Sequence, residues 1–320
     1  MTSLQTNRHD ERGFCIVLNA GSGEGETSTT SDAISGVLTA AGRSHEIFRV
    51  DDPAGLPKIA EQAVLKAQQS NGIVVAAGGD GTLNAVAQAT LGSGCEFGVI
   101  PQGTFNYFGR THGITTDATE ATRALLTARV YPVQVGLVNG RVFLVNASLG
   151  LYRQSLEDRE EQKQRFGRSR LIAAWAAVGT ILRGYRPMLI KLQREDEELE
   201  LRTLTLFVGN NRLQLEQIGL DTDVVEDGKL AALVLRPVST LALLGLLVRG
   251  AMGRLSKARG VDSFALTRLT VTPSNPRIRR LKIATDGEVA WMNTPIEFRV
   301  APEPLLLLKP IHATPESEAR

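Results

Sequence analysis

Glycine and aspartate dominate the stretch best suited to chemistry, Gly78–Thr82, which reads Gly-Gly-Asp-Gly-Thr between the apolar run Ile73–Ala77 and the helix-like run Leu83–Leu91. Without Cβ atoms, such a loop brings its backbone close to a phosphate, and its N–H groups and the helix N-terminus supply positive potential. Thr82 is suited to cap the helix or to donate its hydroxyl to a phosphate. Asp80 is suited to hold a Mg²⁺ that bridges to that phosphate. The pattern predicts a nucleotide-phosphate site; the alternative is a tight turn in which Asp80 only caps the helix.

A second glycine loop follows the next apolar run, Phe97–Ile100. Gly103 permits close approach to a ligand, and Thr104 and Asn106 offer hydrogen-bond donors. Alone, this stretch is typical of an ordinary turn. Because open α/β sheets bind ligands at the carboxyl ends of their strands, its place beside the first loop favours a role in the same site.

A pair of carboxylates around a glycine, Asp286-Gly287-Glu288, ends the β-like run Leu281–Ala284. Such a pair can place a general base at a substrate hydroxyl. A plain Asp-Gly turn is the alternative.

Other enzyme classes lack their signatures. The sequence contains neither the P-loop motif nor the Gly-x-Gly-x-x-Gly fingerprint after a strand, and neither His-Glu-x-x-His nor Gly-x-Ser-x-Gly. Two cysteines and four histidines argue against a zinc site, and a formal net charge of +2 gives no sign of nucleic-acid binding. Cys15 and Cys95 lie in apolar runs, which predicts buried, unreactive thiols.

The chain of 320 residues is long enough for two domains. Apolar runs alternate with helical patterns over residues 1–130, which predicts an α/β, doubly wound nucleotide-binding domain with a parallel sheet. Residues 131–300 read as a β-rich domain that opens with a hairpin at Asn139-Gly140 and contains helix-like segments near Ser169–Gly184 and Thr240–Leu255. We expect residues 301–320 to hold a strand that returns toward the first domain and a disordered tail, and Ile296–Val300 to return with it.

Peripheral membrane contact is the expectation for this chain. The first dozen residues are polar, and the longest apolar stretches, Leu171–Leu182 and Leu241–Val248, fall short of the roughly 20 residues that span a bilayer. These features predict a cytoplasmic protein. Basic residues flank the first apolar stretch, which suits an anionic membrane surface or, equally, a core helix with a charged edge; they are Lys163, Arg165, Arg168, Arg170, Arg183 and Arg186. A weaker group, Arg249, Arg254, Lys257 and Arg259, follows the second stretch.

The three motifs, in this order, resemble the diacylglycerol kinase catalytic-domain family, which includes bacterial lipid kinases, sphingosine kinases and ceramide kinases. The resemblance runs from about Phe14 to Pro310. It implies an N-terminal nucleotide domain, a C-terminal β-sandwich, a site in the cleft between them, and ATP- and Mg²⁺-dependent transfer of phosphate to a lipid hydroxyl. Diacylglycerol is the first expectation, and a sphingoid base or phosphatidylglycerol stays open. Neither nucleic acid nor a particular oligomeric state is predicted.

Site residues follow from the same resemblance. Glu288 matches the family's proton acceptor, with Asp286 and Asp80 assisting. The nucleotide contacts implied are Asn19, Gly78, Gly79, Asp80, Gly81, Thr82, Leu83, Asn84, Gly103, Thr104 and Asn106. A turn that holds Mg²⁺ in some bacterial members is matched by Asp227, with the carbonyls of Val224 and Lys229.

Two other functions remain open. NAD kinases share Gly-Gly-Asp-Gly-Thr, although the second loop and the late Asp-Gly-Glu resemble the lipid kinases more. A regulator that binds nucleotide or lipid without turnover is the second alternative. It is motivated by departures from the family pattern at Ala85, Tyr107 and, in the metal turn, Glu226.

Overall fold

The computed structural model describes residues 12–19, 24–103, 105–150, 187–194, 197–220, 222–239 and 260–311, with isolated positions between 242 and 258. The chain divides into two compact units. The first comprises the described residues up to Gln134 together with those from Pro302 onward, and the second spans Val135–Ala301. Each unit has its own sheets and its own buried residues.

A six-stranded sheet forms the centre of the first unit, in the order β2-β1-β3-β4-β18-β5. The strands are β1 (Phe14–Asn19), β2 (His45–Arg49), β3 (Ile73–Gly78), β4 (Phe97–Pro101), β5 (Arg129–Val133) and β18 (Leu305–Lys309). All neighbours are parallel except β18 and β5. β3 and β4 are buried along their whole length, as expected for strands covered on both faces.

Helices pack against this sheet. They are α1 (Glu24–Ala40), α2 (Leu56–Ser70), α3 (Asp80–Thr90), α4 (Tyr107–Thr111) and α5 (Ala118–Thr127). α1 packs with α5, and α2 packs with α3. α2 buries Ala60, Ala63 and Ala67 at helical spacing, which explains why this segment is an amphipathic helix. The doubly wound α/β prediction for this part of the chain is confirmed.

The second unit is a β-sandwich of two antiparallel sheets, in the orders β10-β9-β14-β17-β6-β7 and β13-β12-β11-β8-β15-β16. One cluster of buried residues joins them, with Phe143, Ile190 and Phe298 from the first sheet and Leu206 and Ile283 from the second. The strands are β6 (Gly136–Val138), β7 (Arg141–Phe143), β8 (Asn146–Gly150), β9 (Met188–Arg194), β10 (Glu197–Thr203), β11 (Thr205–Gly209), β12 (Leu230–Leu235), β13 (Val261–Leu266), β14 (Arg268–Pro273), β15 (Arg280–Thr285), β16 (Glu288–Asn293) and β17 (Ile296–Val300).

The predicted Asn139-Gly140 hairpin joins β6 to β7. Both residues have positive φ, 47° and 81°, as a type I′ turn requires. Two helices that the sequence did not suggest follow β11. They are α6 (Arg212–Ile218) and the short α7 (Asp223–Glu226). Leu215 of α6 packs with Phe207 on the face of the second sheet that points away from the sandwich core.

One strand assignment was wrong. Leu305–Lys309 lies in the sheet of the first unit, but Ile296–Val300 does not accompany it. That segment is β17 of the sandwich, where it pairs with β14 and β6. The helix-like segment Ser169–Gly184 with its flanking basic residues, most of Thr240–Leu255, and the tail from His312 lie outside the described residues. No helix in the described part of the chain is long and apolar enough to cross a membrane.

Candidate active site

The point where the parallel sheet changes direction lies between β1 and β3. From β1 the chain first adds β2 on one side, and then β3 and β4 on the other. Open α/β sheets bind ligands at the carboxyl ends of the two strands that flank such a point. The residues at those ends are Asn19 and Gly78, which are register partners. The first glycine loop therefore begins where the topology favours ligand binding.

Gly78 occupies a position with no room for a side chain. A Cβ there would lie 2.7 Å from both the Cβ and Oγ1 of Thr82 and 2.8 Å from the carbonyl oxygen of Asn19. The requirement for glycine thus comes from two neighbours that also belong to the predicted site. The loop is held in a tight turn from β3 into α3.

Helix α3 begins at Asp80, three residues earlier than the pattern suggested, and Gly79 is its N-cap. Of the two roles that the sequence left open for Thr82, the N-cap is therefore excluded, and that of hydroxyl donor stays a prediction. Thr82 lies in the first turn, and its Oγ1 accepts a hydrogen bond of 3.1 Å from Nδ2 of Asn19. Asp80 is the acidic residue of that turn, where a carboxylate interacts favourably with the helix dipole. Gly81, between them, keeps the first turn of the helix partly exposed.

Leu83 and Asn84 point into the unit. Leu83 is fully buried, and its N–H donates to the carbonyl of Gly79, the first rung of the helix. Asn84 is 7% exposed. In this structure they support the loop from behind, while residues 79–81 form its more accessible part.

The second glycine loop lies directly against the first. A Cβ on Gly103 would lie 3.1 Å from the Cα of Gly79, so a side chain there would press on the first loop and the two backbones approach closely. The N–H of Gln102 also donates a hydrogen bond of 2.8 Å to the carbonyl of Gly78. The expectation that the two loops are neighbours is confirmed. Thr104 lies outside the described residues.

Asn106 closes the second loop upon itself. Its Oδ1 accepts from the N–H of Gly103 at 2.8 Å, and its Nδ2 donates to the carbonyl of Gly103 at 2.6 Å. The side chain is buried and its φ is 47°, a conformation that asparagine tolerates better than most residues. These contacts assign Asn106 to the shape of the loop, where the sequence had suggested a donor to the nucleotide.

In the second unit, the Asp286 carboxylate is surrounded by backbone N–H groups. Oδ2 accepts from Leu144 at 2.6 Å, and Oδ1 accepts from Val145 at 2.9 Å and from Asn146 at 2.8 Å. The N–H of Asp286 donates back to the carbonyl of Asn146 at 2.9 Å. Asp286 and Gly287, with φ of 49° and 94°, form the two-residue turn between β15 and β16. The carboxylate thus fixes this turn to the start of β8.

Glu288 is the first residue of β16, and its side chain is 56% exposed. Its Oε2 accepts a hydrogen bond of 2.6 Å from Nη2 of Arg141. Arg141 was not singled out in the sequence. The hairpin at Asn139-Gly140 was the available signal, because it sets where β7 begins. The observed turn and ion pair hold Glu288 in a defined position at the edge of the sandwich.

The expected metal turn is closed by its own backbone. The N–H of Lys229 donates to the carbonyl of Val224 at 3.0 Å, so one of the expected ligand oxygens is already engaged. Glu226 forms an ion pair with Arg212, and Asp227 is exposed. Within the described residues, no group of three or more acidic, histidine or cysteine side chains is arranged to hold a metal ion. The Mg²⁺ role of Asp227 and of the carbonyls of Val224 and Lys229 stays a prediction from the family resemblance.

Both cysteines are buried and unpaired with each other. Burial raises the pKa of the Cys15 thiol to about 11, so it stays protonated at neutral pH. The expectation of unreactive thiols is met for this residue.

Several known proteins are similar to this chain in sequence and in fold. Residues 13–138 match the model of the diacylglycerol kinase catalytic domain. A putative lipid kinase of Staphylococcus haemolyticus is 30% identical over 241 residues, which cover 74% of this chain and 76% of that protein. A second, from Staphylococcus epidermidis, is 30% identical over 237 residues, covering 72% and 74%.

A solved structure has a similar fold. The crystal structure of a putative diacylglycerol kinase from Bacillus anthracis superposes with a TM-score of 0.71 at 20% identity, covering 93% of this chain and 97% of that one. The two relatives at 30% identity establish the family as well as the fold. The chain belongs to the diacylglycerol kinase catalytic-domain family, a family of kinases that act on lipids.

Proposed function

We propose that the protein is an ATP- and Mg²⁺-dependent lipid kinase that transfers the γ-phosphate to a lipid hydroxyl, with diacylglycerol as the first candidate acceptor. The observation that carries the proposal is the close approach of the Gly79 and Gly103 backbones beside the switch point of the parallel sheet. Two glycine loops and a helix N-terminus at one place suit a polyphosphate better than a neutral ligand. Membership of a kinase family supports ATP as that ligand.

Residues 78–82 are proposed to hold the ATP phosphates through backbone N–H groups of the loop and of the first turn of α3. Asn19 keeps Thr82 in place through its hydrogen bond, and Gly103 lets the second loop approach. Thr104 is proposed as a further contact on the grounds of the family resemblance. Preorganised donors of this kind stabilise charge on the transferred phosphoryl group without rearrangement during the reaction.

Mg²⁺ is proposed to bind with the nucleotide, with Asp80 as its protein ligand. Mg²⁺ in kinases is commonly held by one or two carboxylates together with the substrate phosphates, so a single aspartate beside the phosphate loop fits this chemistry. When bound, the ion neutralises charge on the phosphates. The turn at Asp227, with the carbonyls of Val224 and Lys229, is proposed as a further Mg²⁺ site on the grounds of the family resemblance, and no step of the reaction is assigned to it.

Glu288 is proposed to take the proton from the acceptor hydroxyl. Its exposure and its position at the start of β16 suit contact with a substrate, and the ion pair with Arg141 engages only Oε2. Asp286 is proposed to act indirectly, because its carboxylate is used to fix the turn that carries Glu288. A general base of this kind contributes about 10²- to 10⁴-fold to the rate.

The acceptor class is tested by supplying several acceptors to one preparation. Purified protein is incubated with γ-labelled ATP and Mg²⁺, and with either a mixed lipid extract dispersed as vesicles or NAD. A labelled product that extracts into organic solvent supports the proposal and leads to the acceptor by mass spectrometry. Label in NAD alone would replace it with NAD kinase activity. A lipid acceptor also implies work at a membrane surface, and we propose a cytoplasmic enzyme that contacts the bilayer peripherally.

A further inference from the structure

Four large apolar side chains are exposed in the described part of the second unit, namely Leu189, Leu199, Ile278 and Trp291. Leu189, Ile278 and Trp291 are 45%, 42% and 55% exposed. Leu189 and Ile278 line a single groove of about 450 Å³, together with Pro273 and Leu281. Apolar surface that is rimmed by polar residues commonly marks an interaction site. None of these side chains belongs to the proposed nucleotide loops.

The same region carries concentrated positive charge. Residues 272–285 contain Arg277, Arg279, Arg280 and Lys282 and no carboxylate. The acidic residues that follow are already engaged, since Asp286 accepts from three backbone amides and Glu288 pairs with Arg141. Four cationic side chains thus lie within four residues of the exposed Ile278 along the chain.

Trp291 is joined to this basic segment by contacts with two cations. Lys282 is its register partner across the β15–β16 pair, and Nζ of Lys282 lies 5.4 Å from the centre of the indole ring. The guanidinium carbon of Arg280 lies 5.9 Å from the same point. An exposed tryptophan beside cationic groups matches the composition of membrane–water interfaces, where indole rings lie at the level of the lipid headgroups.

Hydrogen bonds hold the loop that presents Ile278. The N–H groups of Arg277 and Ile278 donate to Oδ1 and the carbonyl of Asn275, both at 3.0 Å. Thr294 then ties the loop to the β16–β17 turn, because its N–H and hydroxyl donate to the carbonyls of Arg279 and Ile278. A loop fixed in this way needs little ordering when it meets a partner.

We propose that Arg277, Arg279, Arg280 and Lys282 form, together with Ile278 and Trp291, a membrane-docking surface that binds a bilayer containing anionic lipid. The cationic side chains attract the headgroups, and Ile278 and Trp291 enter the boundary between headgroups and acyl chains. The charge favours an anionic surface over a neutral one, and the apolar residues favour a bilayer over a soluble acidic partner. Docking needs neither ATP nor turnover, so it can be tested independently of the proposed kinase activity.

The test is sedimentation of the full chain with sucrose-loaded vesicles in the absence of nucleotide. Vesicles of phosphatidylcholine alone are compared with vesicles that also contain phosphatidylglycerol. We expect binding to the anionic vesicles only, and each cation removed should weaken it about fivefold. The double variant Arg279→Gln/Arg280→Gln should therefore bind roughly 25-fold more weakly. Trp291→Ala should lower binding by about tenfold.

Two matched controls separate this surface from general effects. Lys58→Gln/Arg129→Gln removes the same charge from exposed positions of the first unit. Leu199→Ala truncates a residue that is 55% exposed but lies among Glu197, Glu198 and Glu200 on β10. Both should bind anionic vesicles as the parent does.

A spectroscopic measurement on the tryptophan itself completes the test. The chain has two tryptophans, so a Trp175→Phe background leaves Trp291 as the sole reporter. Its emission should shift to shorter wavelength on anionic vesicles and be quenched by brominated acyl chains. Equal binding to neutral and anionic vesicles, or unchanged binding by the double variant, would overturn the proposal. Binding of an oligonucleotide in place of vesicles would overturn it as well, and would assign the surface to an acidic polymer.

Discussion

The side-chain amide of Asn19 donates a hydrogen bond of 3.1 Å to the hydroxyl of Thr82, linking the end of β1 to the first turn of α3. Gly78 lies beneath this contact, since both residues would touch a side chain placed there. The bond joins two elements that are 63 residues apart in the chain and that flank the switch point of the sheet. The shape of the first glycine loop therefore depends on long-range packing as well as on its own sequence.

Gly78→Ala is expected to deform the loop. Its Cβ would lie 2.7 Å from Thr82 and 2.8 Å from the backbone oxygen of Asn19, so the turn must shift. We expect the free energy of unfolding to fall by about 1–3 kcal/mol, and the Kd for ATP to rise at least tenfold. Urea unfolding and ATP titration measure the two effects.

Gly36→Ala is the matched control for this change. Gly36 lies inside α1, and no atom lies within 4 Å of the place that a Cβ would take, so alanine should stabilise the helix by about 0.5–1 kcal/mol. It should leave ATP binding unchanged. An unaltered Kd for ATP in Gly78→Ala would remove the loop from the nucleotide site.

Asn106→Ala is expected to open the second glycine loop. The change removes both hydrogen bonds to Gly103 and leaves alanine at a φ of 47°. Asn71→Ala is the control, because Asn71 has a similar φ of 50° at the exposed end of α2. Strain should cost each variant about 1 kcal/mol. The lost hydrogen bonds should cost Asn106→Ala about 2 kcal/mol more. Equal losses in thermal or urea unfolding would contradict the assignment of Asn106 to loop closure.

We expect Asp286 to contribute to the stability of the fold and Glu288 to the turnover number. In Asp286→Asn, an NH₂ group must face one of the backbone donors of residues 144–146, and we expect a loss of about 2 kcal/mol in unfolding free energy. Glu288→Gln should change stability by less than about 1 kcal/mol, because the ion pair with Arg141 is exposed. Its turnover number should nevertheless fall about 10²- to 10⁴-fold. Near-normal turnover in Glu288→Gln would remove Glu288 from the role of base.

His112 is expected to make stability depend on pH. Burial, with a smaller contribution from the charge of Lys309, lowers the pKa of this histidine to about 3. Below about pH 6.5 the imidazole is protonated in the unfolded chain, whereas in the folded chain it stays neutral down to about pH 3. The contribution of His112 to the free energy of unfolding is therefore complete above pH 6.5 and is lost as the pH falls toward 3. Urea unfolding at pH 7 and pH 5 should differ by up to about 2 kcal/mol from this residue.

His112→Phe isolates that contribution. The imidazole packs edge-on against Phe108, with ring centres 4.8 Å apart, and a phenyl ring can keep this contact. The variant should lose the part of the pH dependence that belongs to residue 112. An unchanged difference between pH 7 and pH 5 would show that other groups are responsible.

Local chemistry made the first loop predictable from sequence, but not all of its contacts. Three glycines and an aspartate between a strand and a helix predict a tight turn whose backbone N–H groups suit an anion, and the structure confirms the turn. The sequence left two roles open for Thr82, the N-cap, which threonine favours, or a hydroxyl donor to phosphate. In the structure Gly79 is the N-cap, and the hydroxyl of Thr82 accepts from Asn19. The partner of Thr82 lies on another strand, and spacing along the chain does not reveal it.

Strands at the edge of a sheet were the harder part of the fold. β10 begins with Glu197 and Glu198 and lies at the edge of its sheet, so it lacks the apolar pattern that revealed the central strands. For Ile296–Val300 the strand itself was predictable, but its place in the fold was not. Its apolar residues correctly predicted a strand, but they do not specify which sheet it joins, and it pairs within the sandwich.

Phosphoryl transfer to a lipid depends on Asp80 if this residue holds the Mg²⁺ of the bound nucleotide. The parent protein and Asp80→Ala are incubated with γ-labelled ATP, Mg²⁺ and vesicles that contain diacylglycerol among other bacterial lipids, and organic-soluble label is measured over time. We expect labelled lipid with the parent protein and a loss of at least a hundredfold in Asp80→Ala. ATP binding without any labelled lipid in the parent, or equal labelling by both proteins, would refute the proposed lipid kinase mechanism.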